Sequence, residues 1–137
     1  MKRNATAVWQ GTGKEGNGQV TTASSVLNNT PYSYKSRFED GDGTNPEELI
    51  AAAHAGCFAM KLSFLIVAAG FEAERLEASC EVNLEEGEIT YSHITLNATV
   101  PGMNEIAFNE AVADAEINCP ISMLLDTEIS VNATLNS

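Results

Sequence analysis

The stretch from Asn45 to Gly70 constrains this chain more than any other part of it. Asn45 is a favourable N-cap, Pro46 suits the first helical position, and Glu47 and Glu48 stand where the helix dipole favours acid. Asn45-x-x-Glu48 resembles a capping box with Asn in place of Ser or Thr. Nothing breaks the pattern until Gly70, a C-terminal stop, so the spacing predicts a helix of 24 residues ending at Ala69, about 36 Å long at about 1.5 Å per residue. After Glu48 it is apolar nearly all round, which predicts a buried central helix. Ala51, Ala52, Ala53, Ala55 and Gly56 are small enough to admit a second backbone at close range.

The segments around this helix read mostly as strands. Thr6 and Val8 alternate with their neighbours, Gly11, Gly13, Gly16 and Gly18 punctuate a loop, and Gln19 to Thr22 can return as a strand. Gly11-x-Gly13-x-x-Gly16 matches the dinucleotide fingerprint only in letters, because a strand-like segment follows where that motif needs a helix. Beyond Gly70, Leu76, Ala78, Cys80, Val82 and Leu84 share one strand face, and Glu85-Glu86-Gly87-Glu88 makes a turn. The return strand places Ile94, Leu96, Ala98 and Val100 inward. Ile89 and Tyr91 are out of phase with that set, which predicts a bulge near Ser92 and His93. Asn104 to about Ile117 forms a second helix with Phe108, Val112 and Ala115 on one face, and Cys119 extends that face. Pro120 opens a further short helical segment, and Ile129, Val131, Ala133 and Leu135 alternate inward on a last strand. The class is α+β, with antiparallel strands wrapped around helices, in one domain spanning residues 1–137.

Composition narrows the partners. Seven Lys+Arg against 19 Asp+Glu give a net charge of −12, which repels phosphate backbones, so neither nucleic acid nor an anionic membrane is expected to bind. Two basic residues at the N-terminus have no apolar run behind them, and the most apolar window, Leu62 to Ala69, is too short to cross a bilayer. A cytoplasmic protein is expected. Three cysteines cannot all pair within one chain, so a redox or catalytic role is a better question than a disulfide framework.

Taken alone, each candidate residue has an ordinary reading beside the chemical one. A cysteine in mid-helix, as Cys57 is, reads first as an inert core thiol, and becomes reactive only if a cation reaches it. Arg37, Lys61 and Arg75 are the main candidates for that cation, with Lys35 behind them. Cys119 immediately precedes Pro120 and can cap the next helix, where backbone N–H groups favour a thiolate; it can equally be a small hydrophobe ending a helix. Cys80 alternates with core residues and reads as structural. His54 lies one turn before Cys57, near enough for a Cys–His pair or simply packed, and His93 near the expected bulge reads as structural. The histidines and cysteines lack the spacing of a metal site.

Three blocks together resemble the OsmC (osmotically inducible protein C) family, related to the organic hydroperoxide resistance proteins. They are Arg37-Phe38-Glu39 followed by Gly43-Thr44-Asn45-Pro46-Glu47-Glu48-Leu49-Ile50, then Ala52 to Met60 around His54-Ala55-Gly56-Cys57, then Cys119-Pro120-Ile121-Ser122. Cys57 and Cys119 stand 62 positions apart, and the likeness covers almost the whole chain. Gly56 and Lys61 depart slightly from the family pattern.

The resemblance implies an OsmC-like α+β fold with long central helices in an intertwined homodimer, and a two-cysteine peroxidase without metal or haem. It implies Cys57 as the peroxidatic thiol, Cys119 as the resolving thiol, Arg37 as the cation at the thiolate and Glu47 as the carboxylate that holds Arg37. The substrate would be an organic hydroperoxide and the reductant a lipoyl-like dithiol. Helix geometry adds a constraint, because Glu47 and Cys57 lie ten residues and about 15 Å apart along one helix axis. Two such helices crossing antiparallel near Ala51 to Ala53 would bring Glu47 of one chain beside Cys57 of the other, so a site shared between subunits is expected. Two rival readings remain open: a cysteine hydrolase using Cys57 with His54, and a non-catalytic dimeric protein that binds a small stress metabolite.

Overall fold

The computed structural model describes residues 1–137, which form two compact units, Met1–Leu49 and Ile50–Ser137. In the first, β1 (Ala5–Gln10), β2 (Asn17–Thr22) and β3 (Thr30–Tyr32) form an antiparallel sheet in that order. Gly18 is opposite Trp9 on one side and Tyr32 on the other, and the two rings tilt together at 5.3 Å. A Cβ on Gly18 would stand 2.5 Å from the Tyr32 ring and 2.6 Å from the Trp9 ring, so only glycine lets them close. β2 follows directly on the glycine loop, in agreement with the expectation that no nucleotide-binding turn exists there.

Helix α1 (Tyr34–Phe38) begins with a true capping box. The Ser33 hydroxyl accepts from the Ser36 N–H at 3.2 Å, and the Ser36 hydroxyl accepts from the Ser33 N–H at 2.8 Å. Helix α2 (Pro46–Ala68) begins as the sequence predicts, but with half a box. The Asn45 side chain accepts from the Glu48 N–H at 2.8 Å, whereas the Glu48 carboxylate accepts from the Thr44 hydroxyl at 2.8 Å instead of returning to Asn45. At the other end Phe71 N–H donates to Ile66 carbonyl at 3.1 Å and Gly70 N–H to Val67 carbonyl at 2.9 Å, with Gly70 at φ +94°. This is a Schellman stop at the glycine read from the sequence.

The second unit holds the core. β4 (Arg75–Glu85) pairs antiparallel with β5 (Glu88–Thr99) across a two-residue turn, Glu86 and Gly87, both at positive φ. Asn83 faces Tyr91 while Leu84 faces Ile89, so Thr90 is the extra residue. The bulge therefore lies closer to the turn than Ser92 and His93, because Ser92 keeps the inward phase of Ile94 and Leu96. β6 (Glu128–Asn136) completes the sheet on the other side of β5 and runs parallel to it, which departs from the antiparallel expectation. The helices α3 (Glu105–Asn118) and α4 (Pro120–Leu124) supply the crossover that a parallel neighbour requires.

Ile94, Leu96, Ala98 and Val100 pack with Phe58, Leu62 and Ile66 of α2 and with Phe108, Ala111, Val112 and Ala115 of α3. Each such aliphatic or aromatic side chain, fully buried, contributes about 1.5–3 kcal/mol over leaving it in water. α2 is only half the buried helix expected. His54, Phe58, Leu62 and Ile66, four apart, are enclosed, but Met60, Phe64 and Val67 stand in solvent. With 23 residues α2 is long and apolar enough to span a membrane, unlike the short window read from the sequence; its packed stripe makes it a core helix.

Candidate active site

The four candidate side chains fall into two pairs, one in each unit. In Met1–Leu49, Arg37 in the last turn of α1 donates from Nε to Glu47 Oε1 at 2.8 Å, and its Nη2 forms an ion pair with the same oxygen at 2.7 Å. Glu47, in the first turn of α2, is 8% exposed, and its Oε2 has no hydrogen-bond partner. The guanidinium side chain is 40% exposed and lies beside the Phe38 ring. Trp9, Tyr32, Tyr34 and Phe38 line an open cleft of about 220 Å³ next to it.

In Ile50–Ser137, Cys57 on α2 is half-buried and Cys119 is fully buried. Cys119 closes α3 and caps α4 at once, and its Sγ accepts from the Ser122 N–H at 3.4 Å. Cys57 packs against the core cluster that holds Cys119, close enough for the Cys119 thiol and the Ile121 amide to act on its ionisation. Burial pushes the Cys57 thiol above its ordinary range, and the neighbouring Cys119 adds to that rise. The Ile121 amide and the charge of Lys61 pull the other way without reversing it.

His54 lies beside this pair with no exposed surface. Its Nδ1 meets the Ser92 hydroxyl at 2.6 Å and its Nε2 the Ser122 hydroxyl at 2.8 Å. Both ring nitrogens are thereby engaged by serines, which removes the Cys57–His54 dyad a cysteine hydrolase needs. Burial lowers the His54 pKa and keeps the ring neutral. The Ser122 hydroxyl also lies 3.3 Å from Cys119 Sγ, and the Ser92 hydroxyl 3.1 Å from Cys80 Sγ. His93, on the opposite face of β5, meets Ser130 at 2.6 Å and takes no part. No three His, Cys, Asp or Glu side chains converge as metal ligands.

Residues 39–134 match the family of OsmC-like proteins. The chain belongs to that family. It is 39% identical to the peroxiredoxin OsmC of Escherichia coli (strain K12) over 141 aligned positions, covering 100% of this chain and 99% of that protein. An organic hydroperoxide resistance protein of Xanthomonas axonopodis pv. citri (strain 306) is 36% identical over 104 positions, 69% of this chain and 68% of that one. Among solved structures, an OsmC-like protein from Mycoplasma pneumoniae superposes with a TM-score of 0.78 at 14% identity, over 100% of this chain and 99% of that one. An organic hydroperoxide resistance protein from Elizabethkingia anophelis superposes with a TM-score of 0.70 at 25% identity, over 100% and 96%.

For an OsmC-like chain, the sequence points to both thiols and to the Arg37–Glu47 pair, and leaves out the two serines on His54. Ser92 carries a signal, since it is a polar residue at an inward position of a strand whose next inward positions are Ile94, Leu96 and Ala98. Buried hydroxyls need partners. Ser122 lies three residues past Cys119, where a capped turn returns a side chain to its cap.

Proposed function

We propose that this chain is a thiol-dependent peroxidase that reduces organic hydroperoxides to alcohols with Cys57 and Cys119. The observation that supports this reading is that two thiols remote in sequence come together in one unit, Cys57 packing against the core cluster that holds Cys119. The Cys57 thiolate attacks the distal oxygen of the hydroperoxide, the O–O bond breaks, and the alkoxide takes a proton and departs as alcohol. Cys57 is left as a sulfenic acid. Cys119 attacks that sulfur, the S–O bond breaks, and water leaves from a disulfide. An external dithiol, lipoyl-like by family resemblance, reduces it by exchange.

The thiolate needs a cation, because burial alone holds Cys57 as a thiol. We assign that part to Arg37, fixed by Glu47, delivered from a second copy of the chain. Helix α2 supports this arrangement. Ala52, Ala53, Gly56, Met60 and Phe64 leave a bare apolar strip with small residues at one end, and a Cβ on Gly56 would meet nothing within 4 Å. Two α2 helices crossing there bury both strips and set each Arg37–Glu47 pair against the other chain's Cys57. The rims of the aromatic cleft beside Arg37 suit an organic rather than a small polar peroxide.

Intact-mass spectrometry after one equivalent of cumene hydroperoxide tests the reading. The expected product has lost two hydrogens, mapped to a Cys57–Cys119 bridge. An unchanged mass, or oxidation that never bridges the two cysteines, overturns it. A non-catalytic binding protein would leave the peroxide unconsumed.

A further inference from the structure

We propose that the buried chain Cys119–Ser122–His54 takes the proton from the resolving thiol, with Ser122 as the relay and His54 as its terminal acceptor. This rests on the two-cysteine reading above and concerns only its second half. The distances run without a gap: Cys119 Sγ to Ser122 Oγ 3.3 Å, then Ser122 Oγ to His54 Nε2 2.8 Å. On the far side His54 Nδ1 to Ser92 Oγ is 2.6 Å and Ser92 Oγ to Cys80 Sγ 3.1 Å. The five groups come from β4, α2, β5 and the α4 turn, yet they form one line.

Donor arithmetic gives that line a direction. If Nε2 accepts from the Ser122 hydroxyl, Nδ1 must carry the ring proton and donate it to Ser92. Ser92 then donates its own proton to Cys80 Sγ, and Ser122 is free to accept from the Cys119 S–H. From Cys119 to Ser92 every donor has an acceptor. Cys119 Sγ meanwhile accepts from the Ser122 N–H, a bond that strengthens once the sulfur is anionic.

The step balances as follows. The Cys119 S–H bond breaks, its proton passes to Ser122 Oγ, and the Ser122 hydroxyl proton passes to His54 Nε2. The sulfur electron pair attacks Cys57 Sγ, the Cys57 S–O bond breaks, and hydroxide leaves and takes a proton from solvent to become water. His54 returns its proton through Ser122 to the Cys119 thiolate released when the external dithiol reduces the disulfide, before the next turnover. One thiol and one sulfenic acid thus become one disulfide and one water. His54 suits the part because nothing charged acts on it. The titratable groups facing it are Cys80 from β4 and, through Ser122, Cys119; Ser92 from β5 is neutral. A cation held permanently in this core could accept no proton.

Ser122 touches a reacting sulfur, whereas His54 acts through it as a positioning residue. The test separates the two half-reactions. Stopped-flow oxidation with one equivalent of cumene hydroperoxide gives the rate of Cys57 sulfenic acid formation, and trapping with dimedone gives the rate of disulfide closure. Ser122→Ala and His54→Gln are each expected to slow closure relative to sulfenic acid formation by roughly a hundredfold, the usual size of a lost proton-transfer group. The lost rate should return as pH rises and hydroxide takes the proton directly. Ser122→Thr keeps the hydroxyl and should restore closure. An unchanged ratio with an unchanged pH profile overturns the relay. In the unaltered protein closure should be slower in D₂O, and an isotope-insensitive closure overturns the relay even if the variants fail to fold. Absence of any disulfide in the unaltered protein would instead sink the peroxidase reading itself.

Discussion

Phe58 and Phe64 stand six residues apart on the same helix and have opposite surroundings, with Phe58 at 0% exposed and Phe64 at 67%. The first belongs to the stripe His54, Phe58, Leu62 and Ile66, sealed by β5 and α3. The second belongs with Met60 and Val67 to a strip that nothing in the chain covers. Their sequence neighbourhoods are equally apolar. A helix that is hydrophobic all round is thus a statement about total burial and not about who provides it. One chain has enough sheet and helix to cover one side of α2. Cys57, half-buried, stands where the two sides meet and packs against the core cluster that holds Cys119.

The largest expected difference between the two faces is in stability. Phe58→Ala should cost about 3–5 kcal/mol through lost transfer energy and a cavity, measured as a fall in urea midpoint at every protein concentration. Phe64→Ala should change the dilute chain by less than about 0.5 kcal/mol, as exposed positions do. It should cost more as concentration rises, if a second copy covers that strip. Equal effects at all concentrations would erase the distinction between the faces.

The next effect concerns the thiol. With Arg37 of a second copy as the proposed cation, Arg37→Met should slow iodoacetamide alkylation of Cys57 at neutral pH by roughly tenfold, the thiol shifting back toward its protonated form. Phe64→Glu should do the same without touching Arg37, by driving the copies apart, and the double variant should be no slower than either single one. Additive losses would mean that the exposed strip and the guanidinium act independently.

A smaller effect comes from the sealed face. Burial holds the His54 pKa below its unfolded value near 6.5, so the unfolded chain binds a proton that the folded chain refuses. Stability is then greatest above about pH 6.5 and falls as pH drops below it, until the folded histidine itself protonates. Thermal midpoints taken from pH 7.5 down to 5 should show that fall, and His54→Gln should flatten it.

The division between faces was legible in the sequence only in part. Both ends of α2 could be read from local chemistry, because Asn45, Pro46 and Gly70 act within one turn of themselves. The inward phase of β5 was legible for the same reason, since alternation is local. The position of the bulge was not, because Ser92 looks like a phase break until His54 is seen to need a hydroxyl there. The parallel run of β6 was hidden too, as its alternation is identical in either direction and only the crossover through α3 and α4 sets it. Of the candidate site, Cys57, Cys119, Arg37 and Glu47 came from motif blocks, while the approach of the two thiols depends on how α2 packs into the core that holds Cys119. No spacing encodes that.

The smallest effect separates Lys61 from the Arg37 proposed to arrive from a second copy. Lys61 lies one turn after Cys57 and is the cation that lowers its pKa within Ile50–Ser137, but it is the weakest of the influences there, behind burial, the Ile121 amide and Cys119. Its side chain is partly solvated, so the attraction is screened. Lys61→Gln should therefore slow Cys57 alkylation by about twofold at most, consistent with the few tenths of a kcal/mol typical of exposed charges. Because this lysine belongs to the same helix, its effect should survive dilution and persist in the Phe64→Glu background, where that of Arg37 should vanish. Alkylation rates of the four combinations, followed against pH and salt, distinguish a cation carried by the helix itself from one that arrives across its bare face. A Lys61→Gln loss as large as that of Arg37→Met would put the activating charge on the same chain as the thiol and leave the exposed strip without a catalytic part.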